Sequence, residues 1–166
     1  MRALLLALTA LALSACATTT RSPASESRWT SIEIAEGACF GVCPIYTITI
    51  TPDDRYQLNG ERFTRHDGAS SGMLEAGSYA RIAELLQAHD AAALPADITQ
   101  NNSAACGRSI MTDMPDFRLG LTGPDGRQNI VWYPGCAESP YRDALSQIRD
   151  QVRLAYDYET LIAPKR

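Results

Sequence analysis

Ile45-Tyr46-Thr47-Ile48-Thr49-Ile50-Thr51 is the stretch that decides the fold. Its residues alternate strictly. Tyr46, Ile48 and Ile50 fall on one face of an extended chain, and Thr47, Thr49 and Thr51 on the other. β-Branched and aromatic residues fill it, so it reads as a strand with one buried and one wet face. That pattern belongs to an antiparallel sheet, because strands of parallel sheets are apolar on both faces. The remainder of the chain must supply neighbouring strands and a cover for the apolar face.

Neighbours are present on both sides. Residues 29–36 alternate around Ile32 and Ile34, a preceding strand. Pro52-Asp53-Asp54 makes a turn, and residues 55–59 return with Tyr56 and Leu58 inward, extended around Phe63. Residues 66–77 are rich in Gly and Ser and read as a loop. Ser78 is placed as the N-cap of a helix in which Tyr79, Ile82, Leu85, Leu86 and His89 follow at helical spacing. Residues 95–113 read as a long polar loop holding Asn101, Asn102 and Cys106. Phe117, Leu119 and Leu121 alternate in a further strand. Gly123-Pro124-Asp125-Gly126 turns it back into a strand with Ile130 and Trp132 on one face. Ser139-Pro140 starts a second helix, striped by Tyr141, Leu145, Ile148, Val152 and Ala155, and the tail is expected to fray after Tyr158. The expected fold is α+β, an antiparallel sheet with two helices on one face. The hairpins around residues 46–55 and 117–127 resemble each other. A tandem ββα duplication would produce this, and so would the shared physics of amphipathic hairpins.

The first residues specify an address. Arg2 precedes an apolar run, residues 3–15, interrupted only by Thr9 and Ser14. The run is shorter than the roughly 20 residues that span a bilayer, and has the length of a signal-peptide core. It ends in Leu13-Ser14-Ala15-Cys16, which resembles the lipobox of bacterial lipoproteins. The resemblance implies that residues 1–15 are removed and that Cys16 is lipidated. Ala17 after the cysteine implies the outer membrane, facing the periplasm. Residues 16–28 form the lipidated cysteine and a small, polar tether, reaching about 20 Å. Residues 29–166 then form one domain able to bury its own core. The formal charge is −4 with scattered basic residues. That excludes a nucleic-acid footprint and a polybasic lipid patch, leaving membrane attachment to the acyl anchor.

Four cysteines remain: Cys39, Cys43, Cys106 and Cys136. An even set in an exported chain reads as two disulfides. Three connectivities exist. Cys39–Cys43 with Cys106–Cys136 is favoured, because each pair joins neighbouring segments. The second bridge closes a loop of about 30 residues, worth about 3–4 kcal/mol, and the first mainly stiffens a turn.

Cys39-Phe40-Gly41-Val42-Cys43-Pro44-Ile45-Tyr46 is the sharpest internal motif. Here the chain resembles a family of bacterial envelope domains of unassigned function, marked by C-x-G-x-C-P-x-Y leading into a strand. Thr112-Asp113-Met114-Pro115 matches a second element of that family. The resemblance implies no activity. C-x-x-x-C-P also resembles the copper motif of Sco-type assembly proteins, with His66 or His89 as third ligand. In those proteins the motif leads into a helix, whereas here a strand follows. A thiol–disulfide exchange site would read C-x-x-C at a helix start, and a four-cysteine zinc site needs closer paired spacings. His66-Asp67 with Ser70 and Ser71 has no catalytic spacing and reads as a solvated loop. His89 suits a helix C-terminus. Asp113 and Asp116 fix a turn around Pro115, and Asp53-Asp54 and Asp125 belong to hairpin turns without calcium-loop spacing.

The sequence therefore specifies a lipid-anchored envelope protein with a non-catalytic binding or structural role. No cofactor, metal or catalytic residue is assigned. Its candidate contact surface is the loop 95–113 beside the Cys39–Cys43 turn, for an envelope protein partner. The competing class is a thiol-dependent copper or redox protein using Cys39 and Cys43. A hydrolase with an unrecognised site is the third.

Overall fold

The computed structural model describes residues 27–164. The signal segment, Cys16 and most of the tether lie outside the described residues. Seven strands form one sheet: β1 Ser31–Glu36, β2 Ile45–Ile50, β3 Arg55–Arg62, β4 Gly68–Met73, β5 Asp97–Ile98, β6 Phe117–Gly123 and β7 Gly126–Trp132. Their order is β4-β3-β2-β1-β6-β7-β5. All pairings are antiparallel except β5 with β7. Helices α1 Ser78–Ala88 and α3 Arg142–Ala155 contribute their buried residues to one core with the sheet. Two four-residue helices, α2 Ser103–Cys106 and α4 Tyr158–Leu161, complete the fold. This is the α+β class expected.

Register explains why the sheet needs a cover. Leu58, Ile48, Ile34, Leu119 and Ile130 stand opposite one another across five strands. Each is essentially inaccessible to solvent. Burying a side chain of this size stabilises by about 1.5–3 kcal/mol. On α1, Tyr79, Ile82, Ala83 and Leu86 meet this row, and on α3 Leu145, Ile148 and Val152. The other face carries Thr47, Thr49, Gln57 and Asn59 in cross-strand pairs and stays open to water. There Arg127 reaches over Gly120 to Glu33 at 2.6 Å. A side chain at 120 would meet that guanidinium, which is why glycine stands in mid-strand.

Several sequence expectations are corrected. Residues 66–77 are not all loop, because Gly68–Met73 forms β4. An exposed edge strand needs no apolar alternation, so its Gly/Ser composition hid it. The long loop is interrupted by β5 and α2, which bury Ile98, Ala105 and Cys106. The chain does not fray after Tyr158. Asp157 caps α4 by accepting from Thr160 N, and Ile162 is fully buried. The ββα halves differ, since β4 intervenes between β3 and α1 whereas α3 follows β7 directly. α3 begins at Arg142, and Ser139 Oγ accepts from Tyr141 N one turn earlier.

Ser78 is not the N-cap of α1. It is the first helical residue, and Gly77 holds the cap position with no side-chain bond. The cap comes from the β2–β3 turn instead. Asp54 carboxylate oxygens accept from Gly77 N at 2.7 Å and Tyr79 N at 2.8 Å. At the same end Ser27, read from the sequence as tether, contacts the Tyr79 hydroxyl at 3.0 Å. Asp54 thus ties a hairpin to a helix that is distant in sequence. Asp54→Ala is expected to lower unfolding stability by about 1–2 kcal/mol in urea titration, and Ser78→Ala by clearly less. Equal losses would refute this assignment of the cap.

Candidate functional site

One end of the sheet gathers both disulfides. β1 ends at Glu36, and residues 37–44 loop over to β2. Cys39 and Cys43 are joined there, with Cα atoms 5.7 Å apart. Inside this small ring Gly41 donates to Cys39 O at 3.0 Å and takes a φ of 147°, which only glycine adopts without strain. The ring leaves Phe40 90 % and Val42 75 % exposed. Two large apolar side chains displayed together on a covalently closed turn differ from apolar residues scattered singly over a surface.

The second motif lies beside the first. Gly37 N donates to Asp116 O at 3.0 Å, and Glu36 pairs with Phe117 as β6 begins. Asp113 turns the chain with a φ of 68°, and Met114 N donates to the Tyr133 hydroxyl at 3.4 Å. Met111 N donates to Gly135 O, and Ile110 bridges to Cys136, itself bonded to Cys106 with a Cα separation of 4.8 Å. Ile110, Met111 and Met114 remain exposed. The chain that leaves the long loop therefore joins the chain that enters the Cys39–Cys43 ring through Asp116 and Gly37. Asn102 has a structural task, accepting from Ala105 N to cap α2 and donating to Asp97 O.

Beneath the ring sits a group not singled out from the sequence. Glu36 is on the apolar face of β1, between Tyr46 and Phe117 in register, and only 4 % exposed. The Arg153 Nε donates to Glu36 Oε1 at 2.6 Å, and its Nη2 donates to Oε2. The Tyr46 hydroxyl donates to Oε1 at 3.0 Å and lies 2.6 Å from the Tyr156 hydroxyl. Arg153 also stacks over the Tyr158 ring at 4.7 Å. A buried carboxylate must be paired and hydrogen-bonded, and all of these contacts serve that need. Burial alone would lower the Arg153 pKa; the bond to Glu36 and its charge outweigh it and hold the guanidinium firmly charged. Burial pushes the Tyr46 hydroxyl well up, aided by the neighbouring Tyr156 and Glu36. Burial, then the Glu36 charge, does the same for Tyr156. The ion pair and the two hydroxyls together clamp the end of α3 to β1 and β2.

The remaining sequence candidates do not converge. Cys39 and Cys43 are spent on each other. His66 and Asp67 lie in the β3–β4 turn, where Thr64 Oγ1 binds the His66 carbonyl and the Asp67 carboxylate. Ser70 and Ser71 are strand residues of β4. His89 is the C-cap of α1, as its place in the sequence implied. Among the described residues no three His, Cys, Asp or Glu side chains are grouped to hold a metal ion. The signal for Glu36 was present in the two-residue period Ile32, Ile34, Glu36, which puts a carboxylate on the core face.

Two measurements test the clamp. Arg153→Met should cost about 3–5 kcal/mol in unfolding stability, because Glu36 is then buried without its cation. Glu36→Met with Arg153→Met should cost less than Arg153→Met alone; additive losses would refute the clamp. The tyrosines set an alkaline limit. Below pH about 10 they are neutral in both states and their contribution is complete. Above it the unfolded phenols ionise while Tyr46 and Tyr156 stay neutral in the fold. Stability should then fall by about 1.4 kcal/mol per pH unit for each tyrosine. A urea midpoint flat from pH 9 to about 11.5 would contradict this.

No curated protein matches the chain. A family model does, over residues 30–155. The matched span runs from the residue before β1 to the last residue of α3, and takes in both motifs, both disulfides, Glu36 and Arg153. The chain thus belongs to the family described as Domain of unknown function (DUF6438).

Proposed function

We propose that this protein is a lipid-anchored envelope protein that binds a protein partner through its disulfide-braced end and performs no catalysis. The anchor reading rests on Leu13-Ser14-Ala15-Cys16 after a short apolar run. Cys16 would carry the lipid, with the chain held at the outer membrane and facing the periplasm. Two or more acyl chains make such an anchor stable. Among the described residues no helix is long and apolar enough to cross a membrane.

The observation that carries the contact surface is the outward display of Phe40 and Val42 on a closed ring. Interface anchors are aromatic and aliphatic side chains that lose little freedom on binding. Ile110, Met111 and Met114, on the chain that runs to Asp116, are exposed as well, and methionines adapt to irregular partner surfaces. The geometry also suits an anchored molecule. The described chain enters at Ser27, before β1, and the ring follows the far end of β1. A six-residue strand separates the two by about 20 Å. A tether at one end leaves the other end free to meet a partner.

The copper alternative requires free thiolates at Cys39 and Cys43, whereas here they are bonded to each other.

Cys16→Ala should move the protein from the membrane fraction to the soluble envelope fraction and abolish labelling by palmitate. Retention in the membrane would remove the anchor reading. A photoreactive residue at Phe40 should crosslink to one envelope protein, and the same residue at Gln57 should not. Equal crosslinking from both positions would remove the contact surface. Non-reducing mass measurement should find no free thiol at Cys39 or Cys43; free thiols with bound copper would favour the alternative.

A further inference from the structure

We infer that the protein pairs with a second copy of itself through the outer edge of β4, joining two sheets into one. β4 is the outermost strand on its side. Its hydrogen-bonding phase is fixed by Leu74 N, which donates to Asp54 O at 2.8 Å. Tyr56–Gly72, Leu58–Ser70 and Gly60–Gly68 are pairs in the same phase. Alternate residues of an antiparallel strand turn N–H and C=O to the same neighbour. Gly68, Ser70 and Gly72 therefore face β3, and Ala69, Ser71 and Met73 turn their backbone groups outward. Thr51 N donating to Arg55 O agrees, since it directs Arg55 toward β2 and Tyr56 toward β4.

Among the described residues this edge lacks the usual protection. Exposed edges carry lysine, proline or bulges, or are short or covered. Gly68-Ala69-Ser70-Ser71-Gly72-Met73 has no charge and no proline, and pairs with β3 without a bulge. The opposite edge is protected. β5 has only two residues, and the chain after it is tied down by Cys106–Cys136. With one usable edge per molecule, pairing is two-fold and closes at a dimer instead of growing a filament.

The sequence of β4 is complementary to itself about Ser71. An axis there sets Ser71 opposite the partner's Ser71 and Ala69 opposite the partner's Met73, each pair exchanging two hydrogen bonds. These are the residues whose backbone groups point outward. Met73 is 58 % exposed in the single chain, and this register lays its thioether over the small Ala69 of the second copy. On the other face Ser70 meets the partner's Gly72, a position where a Cβ would lie 2.9 Å from the Tyr56 ring. Glycine there leaves the ring at the seam. Within β4 itself no charge meets another across the axis, because the strand has none.

Sedimentation equilibrium of the full chain in mild detergent tests this. The wild type should show a concentration-dependent mass twice that of one chain. Ser71→Pro should be monomeric yet folded, because proline is tolerated on an edge where its missing N–H faces solvent. Should that variant fail to fold, Ser71→Lys places two cations at the axis and should also be monomeric. Ser71→Cys should form a covalent dimer under oxidation, whereas Gln57→Cys, one strand inward, should not. A wild type that stays monomeric at about 1 mM overturns the proposal, as does a dimer that Ser71→Lys or Ser71→Pro leaves intact.

Discussion

The carboxylate of Glu36 is the constraint around which this domain is organised. It stands in the middle strand of the sheet, on the face that the helices cover, with Tyr46 on one side and Phe117 on the other. An ionised group there is costly unless every lone pair is met. Arg153, at the end of α3, supplies the cation, and Tyr46 supplies a hydroxyl that continues to Tyr156. The helical layer cannot slide along the sheet without breaking this set. Apolar packing of Ile34 against its neighbours would accept small shifts of α3; the bidentate pair at Glu36 does not. The ion pair thus fixes position more than it adds stability, in keeping with what buried pairs contribute energetically.

That clamp also explains the motif beside it. Tyr46, the last residue of C-x-G-x-C-P-x-Y, reaches across to Glu36, so β1 and β2 are joined below the loop by side chains and not only by the sulfur bridge. Gly41 permits the ring to close, and Cys39 and Cys43 hold it shut. The core ends at the Tyr46–Glu36 contact, and the ring stands outside it as a separate rigid appendage. Residues Phe40 and Val42 therefore answer to no packing demand within the domain. Their identity is free to be set by whatever they touch, whereas Tyr46 is set by the fold.

The legible parts of the sequence were those with a period. Ile48 and Ile50 announced a half-buried strand, and Leu145, Ile148 and Val152 announced the covering helix. Residues whose place depends on distant partners carry no such signal. β4 is a strand only because β3 offers it a hydrogen-bonding edge; nothing in Gly-Ala-Ser-Ser-Gly-Met points inward. Asp54 was legible as a turn residue but not as a helix cap, because a cap delivered from 23 residues away leaves no local pattern. Glu36 was visible in the alternation and its partner was not. Arg153 adjoins the apolar stripe of α3 at Val152, and only the register of helix on sheet brings it to the carboxylate. The disulfide pairs were readable because each joins segments already adjacent along the chain.

The same sheet separates three demands in space. Chain entry occurs at the Ser27 end, where Tyr79 and Asp54 hold the first residues and α1 in place. Apolar display occurs at the other end, past Glu36. The uncharged backbone edge of β4 lies at right angles to both, along one side of the sheet. The proposed tether, protein contact and pairing edge fall on three different borders and do not compete for surface. The side on which β5 lies is given to none of them, and Cys106–Cys136 stands at the corner where that side meets the disulfide-braced end. A covalent bond is placed where a two-residue strand offers too few hydrogen bonds to hold its edge. The long ladder of β4 and β3 holds without one.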